Sequence, residues 1–137
     1  MTEIAFYTNV TDPVHLIQKL VQKAHKLYRR LHISVRDEDH LRAVAEGLYK
    51  ASPTSFLGIS ATDSQEIHDL TSAIITYSSN CVHSDIIVNL TPQVPDNFSS
   101  FKRLIEIVCQ NEENISTARN RYRWYKDRGY SIATYKL

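Results

Sequence analysis

Strand-like and helix-like segments alternate along the N-terminal third of the chain, and this alternation constrains the fold more than any other feature. Residues 4–7 and 32–35 are short runs rich in β-branched and aromatic or other apolar side chains, which predict two strands. Between them, an Asp-Pro pair at 12–13 is typical of a helix start, and apolar residues then recur at intervals of three and four up to Leu31. A strand–helix–strand order at this spacing predicts βαβ units and a largely parallel sheet.

The next segments continue the same pattern. Asp37 is placed to cap a second helix. The predicted inner face of that helix comprises Leu41, Val44, Ala45 and Leu48. Residues 59–70 are polar and predict a loop, whereas residues 73–77 and 86–90 predict two further strands. The segment 86–90 is apolar almost throughout, as is typical of a central strand buried on both faces of a sheet.

A turn with two prolines at 91–96 separates this strand from a predicted third helix, which Asn97 would cap. The residues expected to face inward from that helix are Phe98, Phe101, Leu104, Ile105 and Val108. Residues 1–137 are therefore expected to form one α/β domain. Its central sheet would be largely parallel or mixed and would carry helices on both faces, as in Rossmann-like folds.

The glycines argue against nucleotide binding on such a fold. There are three, Gly47, Gly58 and Gly129, and none opens a helix directly after a strand. Neither GxGxxG nor the P-loop pattern is present, so the chain has no glycine-rich backbone cradle for phosphate. We therefore expect no nucleotide cofactor, and an enzyme is the least favoured class of function.

A concentration of charge marks the C-terminal segment 119–136, RNRYRWYKDRGYSIATYK. Six basic residues stand there against one acid, a net charge of +5, whereas the whole chain carries +1. The rest of the chain therefore sums to −4. The same segment holds four tyrosines and the single tryptophan. A basic, aromatic segment on a nearly neutral protein indicates an acidic partner.

The local pattern of this segment predicts a helix followed by a strand. Asn114 or Ser116 is placed to cap the helix, and Gly129 to end it in a left-handed conformation. One apolar stripe would comprise Ile115, Ala118, Tyr122 and Tyr125, and the cations on one flank of it are Arg119, Arg123 and Lys126. Arg121, Trp124 and Arg128 point the other way. Residues 130–135 alternate large and small side chains, as in a strand that returns along the helix.

Such a helix flank beside a strand ending in Tyr135 and Lys136 would form a shallow apolar notch rimmed with positive charge. The alternative interpretation is a solvated basic helix face, since the helix dipole favours cations in a last turn. In that case Tyr122 and Tyr125 would simply be core residues.

The composition indicates a globular domain of ordinary type. No apolar run reaches the length of a membrane span, and the N-terminal residues lack the pattern of a signal peptide. Cys81 and Cys109 are far apart in sequence, and the six histidines show no ligand spacing, so no metal site is expected. We therefore expect a cytoplasmic protein with reduced cysteines.

Two aromatic residues near the end of the second helix form a separate candidate site. Tyr49 lies in its last turn, and Phe56 follows Pro53 in the loop beyond. They could fold back over the core. They could instead form a flat apolar patch for another protein, because aromatic residues are enriched among interface hot spots.

Several segments together resemble the chi subunit family of the bacterial DNA polymerase III holoenzyme. They are the AFY strand, the helix LIQKLVQKAHKLYRR, the stretch LRAVAEGLYKASPTSF, the strand DIIVNL and the ending ARNRYRWYKDRGYSIATYK. The pattern R-x-R-Y-[KR]-x-Y-[KR]-x-x-G-[FY] over residues 119–130 is the most specific part. The resemblance covers nearly the whole chain.

This resemblance implies a non-enzymatic adaptor without cofactors. In the family, one surface binds the psi subunit, which tethers chi to the clamp loader, and another binds the acidic C-terminal tail of single-stranded-DNA-binding protein. Carried over by position, the residues of the tail site are Arg119, Tyr122, Arg123, Tyr135 and Lys136. Tyr135 stands where the family has a tryptophan. The psi surface would contain Tyr49 and Phe56, and related proteins use it for a helicase as well.

The rival hypothesis is direct binding of single-stranded nucleic acid by the basic helix and its tyrosines, through backbone contacts and base stacking. The whole-chain charge of +1 argues against it, because nucleic-acid-binding domains are usually strongly basic. On the adaptor hypothesis nucleic acid is contacted only indirectly.

Overall fold

The computed structural model describes residues 1–27, 29–51, 59–61, 73–76 and 85–137. The strands are β1 (Glu3–Val10), β2 (Leu31–Ser34), β3 (Ile59–Ala61), β4 (Ala73–Thr76), β5 (Ile86–Asn89), β6 (Arg103–Cys109) and β7 (Ile132–Lys136). The helices are α1 (Pro13–Lys26), α2 (Glu38–Ala51) and α3 (Glu112–Asp127), with a short 3-10 helix at Phe98–Ser100. Within the described ranges, the strands form one sheet in the order β3-β4-β2-β5-β6-β1-β7, and every pair is parallel.

Helices cover both faces of this sheet, which confirms the predicted fold class. The connections from β1 to β2 and from β2 to β3 run in one direction across the sheet, whereas those from β5 through β6 to β7 run in the other. Because such crossovers are right-handed, the two directions place their helices on opposite faces. α1 and α2 pack on one hydrophobic core, and α3 packs with the 3-10 helix on a second.

Several predicted local features are confirmed. The Asp12 carboxylate accepts a hydrogen bond from the backbone N–H of His15 at 3.2 Å, and Asp37 does the same for His40 at 2.8 Å, so both residues act as helix caps. β5 lies in the middle of the sheet with Ile87 and Val88 fully buried. The first helix is shorter than predicted, since it ends at Lys26, and Leu31 already begins β2.

The third helix predicted from Asn97 is wrong. Asn97 precedes a single 3-10 turn, and the residues that follow form β6. The five residues expected to face inward are all buried. Phe98 begins the 3-10 turn and Phe101 caps its end, whereas Leu104, Ile105 and Val108 lie in the strand and are divided between two cores. Leu104 and Val108 contact the α3 side, whereas Ile105 packs on the α1 and α2 side. A nearly continuous apolar run fits either a helix or a doubly buried strand, so spacing alone did not separate them.

The loop predicted for residues 59–70 is wrong at its start, where three residues form the edge strand β3. Residues 62–70 and Phe56 lie outside the described residues. The backbone of Tyr49 belongs to α2, but the placement of its side chain is not among the described features. The two aromatic residues assigned to the psi surface therefore stay predictions.

Candidate functional site

α3 begins and ends on identifiable residues. Its N-cap is Asn111, whose side-chain oxygen accepts a hydrogen bond from the backbone N–H of Asn114 at 2.8 Å. The predicted caps, Asn114 and Ser116, are wrong, because both lie inside the helix. The predicted end is confirmed, since Gly129 follows the helix with a φ of +83°, a conformation that glycine adopts without steric cost.

The buried face of α3 is rotated relative to the predicted stripe. Ala118 and Tyr125 are buried as expected, whereas Ile115 is 37% exposed. The third buried residue is Arg121, which is only 5% exposed although it was predicted to point away from the apolar stripe. A buried cation needs a partner, because removing an unpaired charge from water costs several kcal/mol.

That partner is Glu106 on β6, which is completely buried. Its carboxylate accepts hydrogen bonds from Arg121 Nε at 2.9 Å, from the Tyr125 hydroxyl at 2.7 Å and from Asn89 Nδ2 at 2.9 Å. Arg121 Nη1 also donates to the backbone oxygen of Pro92 at 3.1 Å. This Glu106–Arg121 network therefore joins α3 to two central strands and to the turn after β5, and it fixes how the helix is rotated on the sheet.

The same network has unusual titration properties. Burial raises the pKa of Glu106 to about 7 from its ordinary value of 4.5, and the charge of Arg121 and the three donors only partly oppose this. Burial and the neighbouring carboxylate raise the pKa of Tyr125, so its hydroxyl stays protonated and keeps donating. Glu106 therefore changes its charge near neutral pH.

Beside the network, α3 and the carboxyl ends of β1, β6 and β7 enclose a pocket of about 380 Å³. Its lining residues are Phe6, Thr8, Asn9, Val108, Cys109, Gln110, Ile115, Ala118, Arg119, Tyr122 and Thr134. The Tyr122 ring meets Phe6 edge-on at 5.5 Å. Among the residues that the structure describes, Arg119 is the only charged side chain in this lining. We call this cavity the α3–β7 pocket.

The fold explains why a pocket forms here. The chain leaves β1 toward α1 on one face and leaves β6 toward α3 on the other, so the carboxyl ends of these adjacent strands diverge. A divergence of this kind opens a crevice in α/β sheets and is a common location for ligands. Asn9 borders the crevice with a φ of 60°; its side chain accepts a hydrogen bond from Gln110 and donates one to the backbone oxygen of Leu137 at 2.6 Å.

The exposed cations of α3 and β7 are uncompensated within the described residues. Within the described parts of the chain, Arg119, Arg123 and Lys136 form no ion pair, and all three are exposed. Lys126 lies 5.9 Å from the centre of the Tyr122 ring. The flank of α3 that the sequence predicted to be basic is therefore exposed, and Arg119 on it lines the same pocket as Thr134 of β7.

The structure does not bring Tyr135 to the α3–β7 pocket. Its ring stacks on Tyr7 with centroids 5.2 Å apart, and Tyr7 packs on the core of the opposite face of the sheet. Thr134 lines the pocket on the strand side instead, and alternation along β7 places Lys136 on the same face as Thr134. The part of Tyr135 in peptide binding stays a prediction.

Trp124 and Arg128 lie on the other flank of α3, as predicted. The guanidinium carbon of Arg128 is 3.6 Å from the centre of the Trp124 ring, and this ring meets Phe98 edge-on at 5.8 Å. Tyr122, Trp124 and Tyr135 thus lie on three different surfaces. These are the α3–β7 pocket, the opposite flank of α3, and the opposite face of the sheet.

The described residues contain neither a candidate metal site nor a candidate membrane span. No group of three or more His, Cys, Asp or Glu side chains there could hold a metal ion. In the same part of the chain, none of the helices combines the length and the apolar character needed to cross a membrane.

Comparison with known proteins adds an independent observation. A curated relative, the DNA polymerase III subunit chi of Pseudomonas aeruginosa, is 23% identical over 141 residues, which cover 100% of this chain and 98% of the relative. The family model described as DNA polymerase III chi subunit, HolC, matches residues 1–133. Because this match spans nearly the whole chain, the protein belongs to the chi subunit family of DNA polymerase III, a component of DNA replication.

Proposed function

We propose that this chain is a non-catalytic adaptor of the replication machinery in the cytoplasm. It links the clamp loader of DNA polymerase III, through the psi subunit, to the acidic C-terminal tail of single-stranded-DNA-binding protein. The observation that carries the proposal is the α3–β7 pocket, an apolar cavity in which Arg119 is the only charged residue among the described lining residues. Such a pocket suits a peptide that ends in an apolar residue.

The chemistry of such a peptide matches the pocket in two respects. Its last side chain would fill the space between Phe6, Ala118 and Tyr122, where burial of an aromatic side chain is favourable. Its terminal carboxylate would meet the guanidinium of Arg119, which can bind both carboxylate oxygens at once. Arg119 has no ion-pair partner among the described residues, so no existing contact must be broken first.

The remaining cations fit the acidic part of the same peptide. Arg123, Lys126 and Lys136 are exposed, and Lys126 lies 5.9 Å from the centre of the Tyr122 ring, which lines the pocket. These cations would attract side-chain carboxylates. Exposed pairs of this kind contribute about 0–1 kcal/mol each and are screened by salt. The complex should therefore have moderate affinity and weaken as the salt concentration rises, which suits a contact that is made and released repeatedly.

Direct binding of single-stranded nucleic acid is less well supported. Sequence-tolerant binding of a strand needs aromatic side chains that form one continuous stacking surface along a basic groove. Here Tyr122 lines the pocket, Trp124 lies on the other flank of α3, and Tyr135 lies on the opposite face of the sheet. Among the described residues these rings do not share a surface.

A pair of titrations tests the proposal. The purified protein is titrated with a labelled peptide of about ten residues, rich in aspartate and ending in phenylalanine, and separately with labelled single-stranded DNA. We expect saturable binding of the peptide that weakens with salt, and no comparable binding of the DNA. Binding of the DNA without binding of the peptide would contradict the adaptor function.

We propose that the psi surface contains Tyr49 and Phe56, and that a helicase can occupy it instead of psi. Phe56→Ala is then expected to weaken binding of psi by about tenfold or more, as removal of an aromatic hot-spot residue does, and to leave peptide binding unchanged. Both are measured by titration with purified psi and with the acidic peptide. Loss of both psi binding and peptide binding would show that Phe56 belongs to the core.

A further inference from the structure

β7 lies at one end of the sheet and is bonded to β1 on one side only. The backbone of Ser131 accepts a hydrogen bond from Ile4 N at 3.2 Å, and Leu137 N donates one to Thr8 O at 3.1 Å. Odd-numbered residues of this segment therefore direct their backbone groups toward β1. By alternation, the even-numbered residues Ile132, Thr134 and Lys136 direct their N–H and C=O groups outward.

The outward edge is open to a partner. No described strand pairs with it, and all residues from 133 to 137 are exposed. Unpaired backbone donors and acceptors on a sheet edge are a template for another extended chain. This edge borders the side of the sheet where Thr134 lines the α3–β7 pocket.

We propose that the acidic peptide binds by strand addition, as a further parallel strand hydrogen-bonded to the outer edge of β7. This inference rests on the proposed peptide-binding function and specifies how the chain upstream of the terminal residue is held. The backbone N–H and C=O groups of Ile132, Thr134 and Lys136 would pair with alternate residues of the peptide.

The position of the pocket determines the direction of the added strand. The pocket lies at the carboxyl ends of the strands, near Thr8, Asn9 and Gln110. A peptide whose C-terminal residue fills it, and whose earlier residues follow β7, must run parallel to β7. This direction continues the all-parallel order of the sheet.

The spacing of cations on α3 matches an extended peptide. α3 packs on β6 and runs antiparallel to β6 and β7, so Arg119, Arg123 and Lys126 follow one another toward the amino ends of these strands. From Arg119 to Lys126 a helix advances about 10 Å, the length of about three residues in a strand. An acidic segment just upstream of the terminal residue would therefore lie at the same level along the strand axis as Arg123 and Lys126, and would be attracted by their charge.

Charge complementarity selects the acidic peptide over a second copy of this chain. Pairing of two β7 edges would place two cationic helix flanks and two copies of Lys136 near each other, with no described carboxylate bonded to Arg119, Arg123 or Lys136. An added acidic strand would instead neutralise these charges. A lysine on a short edge strand is a known obstacle to self-pairing.

Amide hydrogen exchange, resolved by residue with NMR, tests the proposal on the intact chain. In the free protein the amides of Thr134 and Lys136 should exchange quickly, because they face outward. Saturation with the aspartate-rich, phenylalanine-ended peptide should slow their exchange by about tenfold or more, with little change at Ala133 and Tyr135, whose amides are already bonded to β1.

Peptides methylated on single backbone nitrogens provide the second measurement. Methylation at alternate positions upstream of the terminal residue should weaken binding by about three- to tenfold each, the effect of one lost hydrogen bond, and methylation at the positions between should not. Thr134→Pro removes an outward N–H but none of the hydrogen bonds between β7 and β1. It should weaken binding of the unmodified peptide by a similar factor.

The outcomes separate the two proposals. If the unmodified peptide binds but protects neither Thr134 nor Lys136, and the effect of methylation does not alternate along the peptide, strand addition is wrong. The proposal that the α3–β7 pocket binds the peptide is then unaffected. If the unmodified peptide does not bind at all, both proposals fail. Concentration-dependent dimerisation that protects the same amides without peptide would identify a second copy as the occupant and overturn the proposal.

Discussion

Replacing Arg121 with alanine is expected to lower the free energy of unfolding by about 3–5 kcal/mol, the usual cost of removing one partner of a buried ion pair. Glu106 is completely buried and would keep only Tyr125 and Asn89 as donors. It must then either hold an uncompensated charge or stay protonated, and the backbone oxygen of Pro92 loses its donor as well. Urea denaturation at pH 7, followed by circular dichroism, measures the loss.

Arg123→Ala is the matched control, because it removes the same side chain two residues along the same helix from an exposed position. We expect it to change the free energy of unfolding by less than about 0.5 kcal/mol. Equal effects of the two substitutions would show that the Glu106–Arg121 network does not hold the helix on the sheet.

The pH dependence of stability reports on the same network. The folded chain holds a proton on Glu106 up to a pKa of about 7, whereas the unfolded chain releases it near the ordinary value of 4.5. The stabilising contribution of that proton is therefore complete below about pH 4.5 and is lost as the pH rises through about 7. Relative to Glu106→Gln, the wild-type chain should lose about 3 kcal/mol across this range.

The alternation of strands and helices was recoverable from sequence because each element there carries its own signal. Asp12 and Asp37 mark the starts of α1 and α2, and the apolar run of β5 marks the centre of the sheet. β6 was not recoverable in the same way, because a strand buried on both faces has no polar–apolar alternation. Its spacing of large apolar residues therefore resembled a helix.

The buried ion pair was not predicted for the same reason. In a surface helix Glu106 would lie on the polar face, and Arg121 would be one more solvated cation. In the strand RLIEIVC the same glutamate is enclosed by apolar residues and requires a buried partner. A glutamate within an apolar run is visible in the sequence, but it indicates a buried ion pair only once the segment is recognised as a strand.

The candidate peptide site was predicted in part. Arg119 and Tyr122 line the pocket together. Their proximity was predictable because the helical period determines which side chains lie on the same side of α3. Tyr135 does not line the pocket, because side chains of adjacent residues in a strand point to opposite faces, and the sequence does not reveal which face meets α3. Phe6, Thr8 and Val108 were missed because pocket lining by residues of distant strands depends on the strand order.

Replacing Arg119 with alanine is expected to weaken binding of the acidic peptide by about 1–3 kcal/mol, roughly 5- to 150-fold in the dissociation constant, as loss of a charge-assisted contact does. Arg119 is exposed, and among the described residues it forms no ion pair and is the only charged residue that lines the pocket. The substitution should therefore leave the free energy of unfolding nearly unchanged. Fluorescence anisotropy with the labelled peptide measures the affinity, and urea denaturation measures the stability.

Two comparisons separate a specific contact with the carboxylate from general attraction. Arg29→Ala removes an exposed arginine far from the pocket, with the same change in net charge, and should leave peptide affinity within about twofold, because exposed charges this far apart are screened by salt. Arg119→Lys keeps the charge but loses the two-pronged geometry, so its affinity should lie between wild type and Arg119→Ala. A peptide with an amidated C-terminus should bind wild type weakly and be nearly insensitive to Arg119→Ala. If the amidated peptide binds as tightly as the free acid, Arg119 does not hold the terminal carboxylate, and the cations around the pocket act only through diffuse attraction.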